Sequence, residues 1–152
     1  MRGRDEIEQA PRPRDEVVTG ASRSPEQVVR EFLSLLETDP TASVELLHDD
    51  VEWRNTGLPT IRGKKRVGGM LRDMEKRNIG FEARTHHAAA AGGVVLTDRT
   101  DYLRFGRFEN SFKVRGTFEV VDGRIRLWDD AFSWGAFAGS SLLGLVRAVR
   151  PR

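Results

Sequence analysis

The residues able to do chemistry gather in the second half of the chain. The stretch GGVVLTDRTDYLRF, residues 92–105, has the apolar content of a strand, yet Asp98, Arg99 and Asp101 sit in its middle. Positions i and i+2 of a strand share a face, so Arg99 and Asp101 stand beside Val95, Leu103 and Phe105. A buried lone charge is costly and is normally paired. Arg99 and Asp101 can pair, and a guanidinium has donors to spare for a second carboxylate. LWDDAF, residues 127–132, offers two of them, Asp129 and Asp130.

Which of the two faces Arg99 depends on the hairpin before them. FENSFKVRGTFEVV alternates regularly, with Phe108, Phe112, Val114, Phe118 and Val120 on one face. If Val121-Asp122-Gly123 forms a three-residue loop, Val114 pairs with Asp130, which then shares that face. If Asp122-Gly123 alone forms the turn, the register slips by one and Asp129 takes its place. Spacing leaves both open.

An Asp–Arg–Asp set carries a net charge of −1. Burial disfavours that charge, so one carboxyl tends to keep its proton. A protonated Asp beside an ionised one supplies a general acid and a general base together. Such a pair suits the addition of water to a strained, neutral substrate. The water needs orienting. Asn55 offers an acceptor and a donor, and Trp53, two residues earlier on the same face, offers an indole N–H.

The elements that must position these groups are helices first and strands after. SPEQVVREFLSLLE reads as a helix, with Ser24 and Gln27 as a capping box and Pro25 in the first turn. A short second helix is expected over Thr41–Leu47, a strand at DDVEWRN, a loop at TGLPTIRG, and a helix at KKRVGGMLRDMEKR. Strands follow at FEARTHHAAA, VVLTDRTDYLRF, FENSFKVRGTFEVV and RIRLWDDAFSW, then an apolar helix near residues 139–149. The strand holding Arg99 has apolar residues on both faces and is expected to be central and covered on both sides. This order predicts an α+β fold. Its curved, antiparallel or mixed sheet carries the N-terminal helices on its concave face and encloses a cone-shaped pocket.

The chain has 152 residues, is 38% apolar and carries a formal net charge of +2. That is enough for one domain, expected over residues 23–152, after a polar tail over residues 1–22 expected to be disordered. Basic and acidic residues alternate, which argues against nucleic acid as a partner. There are no cysteines. Disulfides and thiolate chemistry are therefore excluded, and a cytoplasmic location is expected. No signal-peptide core and no membrane-spanning run is visible. His86 and His87 are neighbours on a strand and point to opposite faces, so no metal site is expected.

LTDRTD, FEVVDGRIRLWDD and NTGLPTIRG are similar to segments of the limonene epoxide hydrolase family, within the nuclear-transport-factor-2-like or cystatin-like fold group. The resemblance runs over roughly residues 25–149, and Arg-x-Asp and Trp-x-Asp are its specific parts. It implies one-step epoxide opening by an Asp–Arg–Asp triad without a covalent intermediate. Asp101 would be the acid, Asp130 the base and Arg99 their bridge, while Asn55 holds the water. The resemblance therefore selects Asp130 over Asp129. In the family an arginine usually precedes the base and a tyrosine usually stands where Trp53 does. Here Asp129 and Trp53 take those places, and an indole donates a hydrogen bond without accepting one.

The expected protein is thus a cofactor-free homodimer that adds water to a small-to-medium apolar epoxide of terpene, fatty-acyl or sterol type. Its pocket is expected to be lined by Leu33, Leu36, Met70, Met74, Leu103, Phe112, Val114, Trp128, Phe132 and Phe137. The alternatives are an epoxide-opening cyclase or isomerase on the same fold, or a non-catalytic protein that binds a lipid or another small molecule.

Overall fold

A computed structural model describes residues 22–149; the tail expected over residues 1–22 lies, but for Ser22, outside the described residues. Helix α1 spans Pro25–Thr38. Ser24 Oγ accepts from the Gln27 N–H at 3.2 Å, and the Gln27 side chain accepts from the Ser24 N–H at 2.8 Å. These reciprocal bonds satisfy two of the N–H groups that a helix start leaves without partners. Val28, Val29, Phe32, Leu33 and Leu36 form its buried face.

The second helix is shorter than expected. α2 covers Pro40–Ser43, with Asp39 accepting from the Ala42 N–H at 3.0 Å, and a 3₁₀ turn follows over Val44–Leu46. Leu47 already belongs to strand β1, Leu47–Asn55. The segment expected to be only a loop contains a short strand β2, Ile61–Arg62, which pairs with Trp53 and Glu52. Helix α3 spans Lys64–Lys76. Strands β3 (Gly80–Ala91), β4 (Val94–Phe105), β5 (Phe108–Val121) and β6 (Arg124–Ala131) follow. Helix α4, Trp134–Val149, begins five residues before the expected start at 139. Ser133 starts it, accepting from the Ala136 N–H on its side chain and from the Phe137 N–H on its carbonyl.

The six strands form one sheet in the order β2-β1-β6-β5-β4-β3. β1 and β6 run parallel, and the other neighbours are antiparallel. The buried faces of α1 and α3 pack on the sheet through Val95, Phe118, Ile125 and Trp128. β4 does not have two covered faces. Val95, Thr97, Arg99 and Asp101 are buried, whereas Leu96 on the other face is 54% exposed. Among the described residues the helices cover one face only, so the alternate residues of β4 are left exposed although some are apolar. Among the described residues, no helix is long and apolar enough to cross a membrane.

The β5–β6 hairpin does not form the three-residue loop. Asp122 and Gly123 alone make the turn, both at positive φ (52° and 74°), and Val121 pairs with Arg124. That backbone matches the twist of the flanking strands. By itself it would turn Asp129 towards the helices. A bulge then intervenes: Val120 pairs with Ile125 but Glu119 with Leu127, so Arg126 is the additional residue. The bulge restores the parity and sets Asp130 opposite Gly116. Asp130 therefore faces the helices two residues further along β5 than the longer loop would have set it.

Candidate active site

Between the helices and the sheet lies a cavity of about 310 Å³. Its polar lining consists of Asn55, Asp101, Asp130 and the indole of Trp53, and the remaining walls are apolar. Arg99 lies under this polar end with no exposed surface. Its Nε–H donates to Asp101 Oδ1 at 2.7 Å, and Nη2 donates to Asp101 Oδ2 at 3.0 Å and to Asp130 Oδ1 at 2.7 Å. Nη1 donates to Thr97 Oγ1 at 3.2 Å, and the guanidinium carbon stands 5.8 Å from the centre of the Phe118 ring. One cation thus bridges two carboxyl groups, each less than a tenth exposed.

The three groups reach one another because of two local features. Arg99 and Asp101 share a face as i and i+2 on β4, which allows the two-pronged contact. Asp130 arrives from β6 across Gly116 of β5. A Cβ at Gly116 would overlap Arg99 Nη1, with Thr97 Oγ1 at 2.7 Å and the Phe118 ring at 3.0 Å. The missing side chain is the space that the guanidinium fills.

The charges set the proton affinities. Burial opposes the Arg99 charge, but the Asp130 and Asp101 carboxylates outweigh it and hold its pKa above the ordinary arginine value. Burial raises Asp101 against the opposing pull of Arg99. Burial also raises Asp130, to about 6; the Arg99 charge opposes this and the Asp101 carboxylate adds to it. The pair therefore holds on to a proton at a pH where exposed aspartates have lost theirs.

At the neighbouring strand, Asn55 is in register with Asp130 and Trp53 with Trp128. The Trp53 and Trp128 rings stack at 4.5 Å between centres and 13° between planes. Trp53 Nε1 is buried with no hydrogen-bond partner, the one such side-chain atom among the described residues. Asp129 points the other way, in register with Arg54 and Thr117, and does not line the cavity.

Of the expected lining, Leu36, Met70, Met74, Leu103, Phe112, Val114, Trp128, Phe132 and Phe137 border the cavity. Leu33 does not. It is 4% exposed and packs in the core beneath α1, because the helix turns this residue towards the sheet away from the void. Trp134 was not expected in the lining; α4 starts early enough to bring it there, and its Nε1–H donates to the Thr56 carbonyl at 2.8 Å. Gly116 and Thr97 also belong to the site's support. Gly116 had a visible signal, since a glycine interrupts the inward positions of an otherwise regular strand, which marks a close approach.

A family model for the limonene-1,2-epoxide hydrolase catalytic domain matches residues 23–138. The epoxide hydrolase EphG of Mycobacterium tuberculosis is 42% identical over 124 residues, covering 81% of this chain and 83% of the relative. The structure of an M. tuberculosis LEH-like epoxide hydrolase superposes with a TM-score of 0.77 at 41% identity, covering 80% of this chain and 92% of that one. A putative polyketide cyclase from Xanthomonas campestris shares the fold, with a TM-score of 0.68 at 15% identity over 77% of this chain and 96% of that one. With the family domain matched over most of its length, the chain belongs to the limonene-1,2-epoxide hydrolase family.

Proposed function

We propose that this protein is an epoxide hydrolase that adds water in one step to an apolar epoxide and releases a vicinal diol. The observation that carries this reading is the single buried guanidinium shared by Asp101 and Asp130 at the polar end of an apolar cavity. In the reacting state the proton that the two carboxyls share sits on Asp101, which gives it to the epoxide oxygen as the C–O bond breaks. Asp130, ionised, takes a proton from water as the water oxygen bonds to the ring carbon. Arg99 keeps the two carboxyls together and balances one of their charges. A proton returns from Asp130 to Asp101 before the next turnover.

Water has two protons and two lone pairs to place. On this reading one proton goes to Asp130 and the other to the amide oxygen of Asn55. The unpartnered Nε1–H of Trp53 meets one lone pair, which leaves the other for attack. Trp53→Phe is then expected to lower kcat about tenfold, the worth of about one hydrogen bond. The melting temperature should fall by no more than the smaller ring's lost packing against Trp128 costs, because the lost N–H itself has no protein partner. Steady-state kinetics beside thermal unfolding checks both halves.

The cavity lies near the low end of the ~300–1,000 Å³ usual for small-molecule sites. That size favours a terpene-sized epoxide, or the epoxide end of a fatty-acyl or sterol molecule. We also place the enzyme in the cytoplasm as a homodimer. The absence of cysteine supports the first, and the outer sheet face with exposed Leu96, which no described helix covers, the second; light scattering reads the mass. The test of function is incubation with terpene, fatty-acyl and sterol epoxides in ¹⁸O-labelled water. Diols carrying one label are expected. Isomers or internal ethers without label, or no conversion of any epoxide, would overturn the proposal.

A further inference from the structure

We propose that Trp128 is a positioning residue for Asp130: its indole N–H holds Oδ2, and so keeps this carboxyl oriented and ionised as the base. The inference rests on the hydrolase reading above. Nε1 donates to Asp130 Oδ2 at 2.7 Å, while Arg99 holds Oδ1 at the same distance. Both oxygens are thus pinned, and each keeps a lone pair that can receive a proton from water. Arg99 touches both carboxyls, whereas the indole touches Asp130 alone. Arg99 gives two of its bonds to Asp101 and one to Asp130, so the indole supplies the second donor that Asp130 otherwise lacks.

The indole is itself fixed. It is 3% exposed, stacks on Trp53, and meets Phe32 edge-on at 5.0 Å and 82°. Trp128 and Asp130 are i and i+2 on β6, so they share a face without any distortion of the strand. The charged groups acting on Asp130 are Arg99 and Asp101 from β4. Its partners in register on the two neighbouring strands, Asn55 of β1 and Gly116 of β5, are uncharged.

The cleanest test replaces Trp128 by an analogue with sulfur in place of the ring N–H, which keeps ring shape and stacking. Trp128→Phe is the second variant. Carboxyl ¹³C NMR follows Asp130 directly, and the pH profile of kcat/KM follows its role. Without the N–H, the titration of Asp130 should rise by about one unit, the usual scale for losing one donor to a carboxylate. The acid limb of kcat/KM should move with it, so that the rate lost at low pH returns at higher pH. A purely structural role would lower the rate at every pH and leave the limb where it was. An unmoved titration in the sulfur analogue overturns the proposal whatever the turnover. If the native protein opens no epoxide while the titration moves, the hydrolase reading falls and the hold of Trp128 on Asp130 stands.

Discussion

Asp130→Asn should all but abolish diol formation while making the folded protein more stable at neutral pH. Loss of a general base costs typically ~10²–10⁴-fold in rate. The gain in stability follows from the charge. Two buried carboxyls and one guanidinium carry −1; the amide leaves Arg99 and Asp101 balanced one to one. In the folded chain Asp130 titrates at about 6, against ~3.9 for an unfolded aspartate. The folded state therefore binds more protons between these values. The stabilisation this gives is complete below about pH 4 and lost as the pH rises through about 6.

An amide stays neutral throughout and escapes that loss. The separation of the two pKa values corresponds to on the order of 2–3 kcal/mol at pH 7–8. An amide has one acceptor where the carboxylate had two, so either Arg99 or Trp128 loses a partner at a cost of about 1 kcal/mol. A net gain of about 1–2 kcal/mol is expected at pH 7–8, shrinking to nothing or reversing near pH 4. Urea unfolding of both proteins at the two pH values reads the difference. A variant less stable than the parent at pH 8 would show that the Asp130 charge is welcome where it sits.

Gly116→Ala should do the opposite, losing stability and activity together. The new methyl group would fall on Arg99 Nη1 and crowd Thr97 Oγ1 and the Phe118 ring. Arg99 is the end of a long side chain, but it is fully buried and its other nitrogens are already bonded to Asp101 and Asp130. Overpacking of this kind costs about 1–3 kcal/mol. At ~2–4 °C per kcal/mol for a chain of this size, melting should fall by several degrees. Turnover should fall further than stability alone explains, because the guanidinium must leave the line joining the two carboxyls. Calorimetry and kcat/KM at a temperature where the variant is folded separate the two effects. An alanine variant as active as the parent would mean that the bridge tolerates displacement.

Much of this site is written in local pattern. The capping box at Ser24 and Gln27, the alternation along β5 and the Arg99–Asp101 spacing depend on residues a few positions apart, and each formed as its spacing implies. What was not legible depends on partners far along the chain. Whether Asp129 or Asp130 faces the helices turns on the parity of a strand pairing. A two-residue turn and a bulge at Arg126 together decide that parity. Nothing in VDGRIR announces the bulge. Leu33 and Leu36 both carry the apolar signature of α1, yet only Leu36 borders the void, because which turn of a helix meets a cavity is set by the sheet below it. The exposed face of β4 misled for a related reason: apolar Val94 and Leu96 suggested cover that the described chain does not supply.

The one-step addition of water by Asp101 and Asp130 is tested most directly by a single turnover in ¹⁸O-labelled water, with enzyme in excess over epoxide. Direct attack by water predicts that the first diol formed carries the label and that neither aspartate does. An unlabelled first diol, with ¹⁸O found later in the carboxyl of residue 101 or 130, would mean that a carboxylate attacks the epoxide and that an ester intermediate is hydrolysed.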